Sequence, residues 1–171
     1  ENAQAAYIVA KHLGLDLNIA GKALSCFQGV DRRQKLMISG AVTVYDDFAH
    51  HPTALSEVFE TFKNQAKVWL IYHPATYTQR CGKMDDVVIN ILSQTKGCIL
   101  LPPKHNIPIQ RYCDKGIHVL ETAESMAAYI ESHVEEGDIV IVCSAYYLST
   151  FWHLLAEKMK KNSGQELLFH Y

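Results

Sequence analysis

With 171 residues, 49% of them hydrophobic and 20% charged, the chain has the make-up of one ordinary folded domain with its own core, which excludes intrinsic disorder. A formal net charge of −2 leaves no basic stripe of the kind that attracts nucleic acid or an anionic membrane, so neither is expected as a partner. No apolar run approaches the roughly 18 residues of a membrane span and no signal-peptide pattern is present, so a soluble, cytoplasmic protein is expected.

The sequence opens at Glu1 directly into an alanine-rich helical pattern, a start expected of a domain cut from a longer protein. Residues 2–13 have helical spacing with Gly14 as a stop, and residues 16–27 form a second helical stretch opened by Asp16, a residue suited to capping. Residues 1–28 therefore read as a helical lead-in to a domain over 29–171. A polar loop, Gly29 to Arg33, precedes two short strands near 34–38 and 41–46, joined through Ser39-Gly40 as a hairpin. The order then becomes regular: helix 52–63, strand 67–72, helix 84–95, strand 97–101, a long loop 102–116, strand 117–120, helix 122–134, strand 138–143 and helix 150–160. Alternation of this kind predicts an α/β fold with a mostly parallel sheet and helices on both faces. Val68 to Ile71 and Ile139 to Val142 are continuous apolar runs, which places both strands at the sheet centre. Ligands in such folds bind beyond the carboxyl ends of the strands, so the loops after 46, 72, 101, 120 and 143 form the expected functional edge. Residues 161–171 turn from polar to apolar, ending in Leu167-Leu168-Phe169.

Several chemistries lack their signatures. There is no Gly-x-x-x-x-Gly-Lys-Ser/Thr loop and no Gly-x-Gly-x-x-Gly, since the nine glycines are scattered singly, which disfavours an autonomous ATPase or dinucleotide binder. Neither a Gly-x-Ser-x-Gly elbow nor His-Glu-x-x-His occurs. The five cysteines, Cys26, Cys81, Cys98, Cys113 and Cys143, are odd in number and widely spaced, as expected of reduced core thiols rather than a disulfide framework or a zinc site.

Four patches remain on or near the functional edge. Asp46, Asp47, His50 and His51 sit where a strand runs into the helix that starts at Pro52; free N–H groups and the helix dipole suit such a corner to an anionic or polar ligand. Strand alternation sends Asp46 and Asp47 to opposite sides, so only one of them faces a ligand; the plain reading is that they cap the helix. Arg32-Arg33 offers guanidinium forks that match phosphate, or merely a solvated surface. His73 to Arg80, after the first central strand, either lines a pocket or simply connects. Cys143 to Tyr147, after the second, holds a Cys and a Ser, although a buried thiol is the simpler reading.

Gly29-Val30-Asp31-Arg32-Arg33, followed by Tyr45-Asp46-Asp47-Phe48-Ala49-His50-His51-Pro52-Thr53-Ala54, resembles the third domain of the Mur ligases. Glu1 to Leu13 looks like the helix around that family's Asn-Ala segment, which leads in from the central ATP domain, and the rest looks like its Rossmann-like C-terminal domain. The resemblance implies a ligase that uses ATP and Mg²⁺, held mainly by the central domain, to activate a carboxylate as an acyl phosphate for attack by an amine. By the same resemblance Arg33 reaches the nucleotide phosphates, one of Asp46 and Asp47, preferably Asp47, binds the ribose, and His50 joins them at the nucleotide. His51, His73, Thr76 and Arg80 fall to the acceptor substrate. The branch expected joins UDP-N-acetylmuramate to the murein peptide L-alanyl-γ-D-glutamyl-meso-diaminopimelate in peptidoglycan recycling; the alternatives are the L-alanine-adding branch and a non-catalytic nucleotide- or peptide-binding module. Three positions depart from the family pattern: Lys35 where a glutamate is usual, Ala75-Thr76-Tyr77 where Arg-Ser-Asn is expected, and Cys143 to Ser149, which lacks the usual glycines. The family's phosphate loop and UDP-sugar domain are outside the sequence, so the fragment is expected to contact them as a lid and to be inactive alone.

Overall fold

The structure is a computed structural model and describes residues 2–65, 67–100, 108–162 and 166–167. The chain divides into two compact units, residues 1–31 and residues 32–171. In the first, α1 (Asn2–His12) packs on α2 (Leu17–Ser25). The Asp16 carboxylate opens α2 by accepting from the N–H groups of Asn18 at 2.8 Å and Ile19 at 3.3 Å, the cap expected of an Asp at that position.

The second unit is built on a seven-stranded sheet in the order β5-β4-β3-β6-β2-β1-β7. Strands β2 (Thr43–Asp47), β6 (Ile139–Ser144), β3 (Val68–His73), β4 (Gly97–Leu100) and β5 (His118–Val119) run parallel. β1 (Lys35–Ser39) closes the predicted hairpin antiparallel to β2, with a register shift between Leu36 and Ile38, and β7 (Glu166–Leu167) pairs antiparallel with β1. β3 and β6 lie side by side at the centre, and every residue of β6 is buried, which is why both sequences are unbroken apolar runs.

Helices cover both faces, as the alternation predicted. On one face α3 (Pro52–Phe62) and α5 (Asp85–Leu92) press Leu55, Val58, Phe59, Phe62, Val88 and Leu92 against Leu70, Tyr72 and Ile141. The α3 residues recur at the three- and four-residue spacing of a single helix stripe. On the other face α7 (Ala123–His133) and α8 (Ser149–Asn162) bury Met126, Ile130, Phe151, Trp152 and Leu155 against Val44, Ile71, Val140 and Val142. At the amino edge of the sheet, Asp138 accepts from Trp69 Nε1 at 2.9 Å, Lys96 Nζ at 2.7 Å and the Glu135 N–H at 3.0 Å. Gly97 lies flat against the Trp69 ring, where a Cβ would stand 1.9 Å from Cε3; only glycine permits this approach.

Some expectations need correction. The loops assigned to 73–80 and 102–116 contain short helices, α4 (Tyr77–Arg80) and α6 (Ile109–Cys113), which are too brief to leave a periodic trace in the sequence. Residues 101–107 of the second loop lie outside the described residues, as do 163–165 and 168–171 of the terminal segment. Cys98 and Cys143 are buried thiols, whereas Cys26, Cys81 and Cys113 are exposed, so the core-thiol expectation holds for two of the five. No described helix is long and apolar enough to cross a membrane.

Candidate functional site

The chain enters β3 from α3, runs outward to β4 and β5, then returns through α7 to place β6 between β2 and β3. That reversal brings the carboxyl ends of three strands together: Asp47 pairs with Cys143, and His73 with Ser144. A crevice at such a switch point is where open α/β sheets hold ligands.

Two residues before β1 adopt left-handed backbone, Arg32 with φ 55° and Gln34 with φ 49°, an unusual conformation for side chains without an Asn or Gly character. It turns the Arg32 guanidinium back over the sheet edge. Its Nε donates to Asp46 Oδ2 at 3.0 Å, Nη2 to the carbonyls of Ser144 at 2.7 Å and Tyr146 at 3.1 Å, and Nη1 to that of Ala145 at 3.4 Å. The same guanidinium lies 5.5 Å from the Phe48 ring centre and 5.9 Å from that of Tyr147. One side chain thus pins the loop after β6 to the end of β2. The sequence offers Arg32 and Arg33 as a pair and the family resemblance points to Arg33 for the ligand; the tie made by Arg32 depends on positive φ at a non-glycine residue, which nothing in the sequence marks.

Asp46 and Asp47 part to opposite sides of β2, as alternation requires, and both are buried. Asp46 is committed to Arg32. Asp47 Oδ2 accepts from the Gln34 N–H at 2.9 Å and Oδ1 from the Ala49 N–H at 2.6 Å, a local Asx-type turn that fixes the carboxylate while leaving further lone pairs. Asp47 lines a groove of about 520 Å³ with Arg33, Gln34, Ala49, Ala54, Glu57, Val58 and Thr61. Arg33 is exposed, with its guanidinium 5.5 Å from the Phe48 ring centre.

His50 is half-buried. Its Nδ1 lies 2.8 Å from the Phe48 carbonyl, and its own carbonyl accepts from Tyr72 Oη at 3.3 Å and from Gln79 Nε2. The exposed His51 stands at the cap position of α3 ahead of Pro52 and makes no side-chain cap, and the capping expected of the aspartates is not made by Asp47, whose bonds go to N–H groups outside α3. In the loop after β3, Gln79 is 4% exposed and also accepts from the Thr76 N–H at 2.7 Å. Gln79, a member of the His73 to Arg80 patch with no role of its own assigned from sequence, therefore welds the loop after β3 to the corner after β2. Thr76 and Arg80 are half-buried; the Arg80 N–H donates to the Thr76 carbonyl at 3.0 Å, while its guanidinium has no hydrogen bond or ion pair among the described residues. His73 Nδ1 lies 3.0 Å from Ser144 Oγ, and burial lowers the pKa of that imidazole. Burial holds Cys143 as a neutral thiol, reinforced by the charges of Asp47 and Asp46, which removes it as a nucleophile. No three His, Cys, Asp or Glu side chains gather as a metal site among the described residues.

A family profile described as Mur ligase, glutamate ligase domain, matches residues 32–146, which spans the Asp46-Asp47 corner and all of β6 and reaches the first residues of the loop after it. The chain belongs to the Mur ligase family. It is 31% identical to a UDP-N-acetylmuramate–L-alanine ligase of Ruthia magnifica over 94% of this chain and 38% of that protein. It is 29% identical to the UDP-N-acetylmuramate–L-alanyl-γ-D-glutamyl-meso-2,6-diaminoheptandioate ligase of Escherichia coli over 84% of this chain and 33% of that protein. The chain thus spans little more than a third of these curated relatives. Among solved structures, a UDP-N-acetylmuramate–alanine ligase from Thermotoga maritima superposes with a TM-score of 0.76 at 19% identity, covering 95% of this chain and 37% of that one. The family's C-terminal fold is therefore the fold of this chain.

Proposed function

We propose that this chain is the C-terminal part of an ATP-dependent ligase that joins UDP-N-acetylmuramate to a preformed cell-wall peptide. ATP phosphorylates a carboxylate to give an acyl phosphate and ADP; the peptide amine attacks the acyl carbon, phosphate leaves, and an amide bond forms. The observation that carries the reading is the division of labour between the two aspartates. Asp46 is consumed by Arg32, whereas Asp47 is held rigidly by two backbone N–H groups and still lines an open groove with Arg33. A fixed carboxylate with spare lone pairs suits the two ribose hydroxyls, and an exposed guanidinium resting on Phe48 suits the phosphates. His50, on the nucleotide side, and His51, on the acceptor side, border the junction of the two at the start of α3, where the helix N-terminus favours negative charge. Mg²⁺ enters with the ATP phosphates, and no side chain of this chain is assigned to it. The guanidinium of half-buried Arg80, without a partner among the described residues, supplies the cation for an acceptor carboxylate beside Thr76 and His73. L-Alanine is the second reading for the acceptor, supported by the name of the 31% identical relative.

In the full-length protein, Arg33→Ala and Asp47→Ala should each lower kcat/KM by about 10- to 150-fold, the loss expected for one charge-assisted contact of about 1.5–3 kcal/mol. Wild-type kinetics in both folded variants would refute the assignment. Amide formation measured side by side with the peptide and with L-alanine decides between the acceptors.

A further inference from the structure

His73 and Ser144 are the last residues of the two central strands and face each other in register. Ser144 is completely buried. Its Oγ accepts from the Tyr146 N–H at 3.0 Å and lies 3.0 Å from His73 Nδ1, while its carbonyl accepts from Arg32 Nη2 at 2.7 Å. The hydroxyl proton must go somewhere, because a buried donor left without an acceptor costs about 1–3 kcal/mol. Among the described residues the acceptor in reach is His73 Nδ1. A neutral imidazole carries one N–H, so a ring that accepts at Nδ1 donates at Nε2.

We propose that Ser144 and His73 form a recognition element in which the buried hydroxyl fixes the imidazole as its Nε2–H tautomer and that N–H binds an oxygen, carbonyl or carboxylate, of the incoming amine substrate. The acceptor half of this rests on the ligase reading above; the tautomer half does not. The lowered pKa of His73 agrees with a neutral ring that donates one hydrogen bond. A serine–histidine pair also suggests nucleophilic catalysis, but no substrate carbonyl reaches an Oγ that is wholly buried and already holds a backbone N–H. His73, only half-buried and with no partner for Nε2 among the described residues, is the member that meets a ligand. The exposed Tyr146 ring, 6.4 Å from the imidazole centre to centre, flanks it.

Two measurements test the proposal. Ring ¹⁵N NMR of the 171-residue chain near neutral pH should show His73 protonated at Nε2 and bare at Nδ1, and Ser144→Ala should abolish the bias; a wild-type ring protonated at Nδ1 overturns it. In the full-length protein, His73→Leu should raise the KM for the peptide or L-alanine about tenfold with the KM for ATP changed less than about twofold, and His73→Gln, which keeps an N–H near the Nε2 position, should recover most of the loss. Wild-type ligation with an unchanged acceptor KM in folded His73→Leu refutes the recognition element alone. Absence of amide formation by the wild-type protein refutes the ligase reading and the acceptor half with it, while the NMR result stands on its own.

Discussion

Arg32→Ala should unfold the second unit far more easily than a change at an ordinary surface arginine. The substitution removes four hydrogen bonds at once, one to a carboxylate that is 2% exposed and three to the carbonyls of Ser144, Ala145 and Tyr146. Breaking a fully buried ion pair costs about 3–5 kcal/mol, chiefly because the remaining charge stays buried. The Arg32 side chain keeps 15% of its exposure, so water softens that penalty, and about 2–4 kcal/mol is expected. For a chain of this size each kcal/mol lowers Tm by about 2–4 °C, which gives a fall of roughly 4–16 °C. Urea unfolding followed by tryptophan fluorescence, with calorimetry alongside, measures both quantities. Adding Asp46→Asn to Arg32→Ala should recover part of the loss, since the amide no longer carries a stranded charge. A loss under about 1 kcal/mol in the single variant, or no recovery in the double one, would show that the guanidinium decorates the corner without holding it together.

Gln79→Leu should lower the unfolding free energy by about 1–3 kcal/mol and speed amide hydrogen exchange at Thr76, because the Thr76 N–H loses its acceptor and the His50 carbonyl keeps only Tyr72 among the described residues; unchanged exchange at Thr76 would contradict the weld. At the other end of the sheet, burial pushes the Asp138 carboxyl up, but bonds from Lys96, the Glu135 N–H and Trp69 outweigh it and leave the pKa below its ordinary value. A carboxylate depressed on folding contributes stability above its unfolded pKa of about 4 and loses it as pH falls through the folded value. Asp138→Asn should therefore flatten the decline of stability below about pH 4, and an identical acid profile in the variant would rule this contribution out.

The fold was legible wherever side chains repeat with a period. The apolar runs of β3 and β6 announced two doubly covered central strands, and the stripe of Leu55, Val58, Phe59 and Phe62 announced α3. One-turn helices such as α4 carry too few residues to show a period, and β7, two residues long, is defined by its partner rather than by its own composition. At the site, alternation along β2 was enough to separate Asp46 from Asp47, and the paired motif was enough to mark the corner. What stayed hidden was tertiary: Arg32 reaches Ser144 across 112 residues of chain, and Gln79 reaches His50 across 29. A glutamine in a polar loop looks the same whether it is solvated or buried, and only the carbonyls that happen to converge on it decide which.

The late insertion of β6 between β2 and β3 has a consequence for how the molecule comes into being. A nascent chain that has emerged from the ribosome as far as β5 holds β2 and β3 with the slot between them empty, and both strands present unpaired edges of the kind that recruit foreign strands. Docking β6 closes long loops on both sides, pairing Ile139 with Thr43 and with Val68, so the step is high in contact order and slow by the standards of local pairing. The Arg32 guanidinium joins Asp46 to the loop after β6 across that same seam. The Arg32 clamp can therefore close only once the last central strand is in place, since three of its four acceptors are carbonyls at and just after the end of β6.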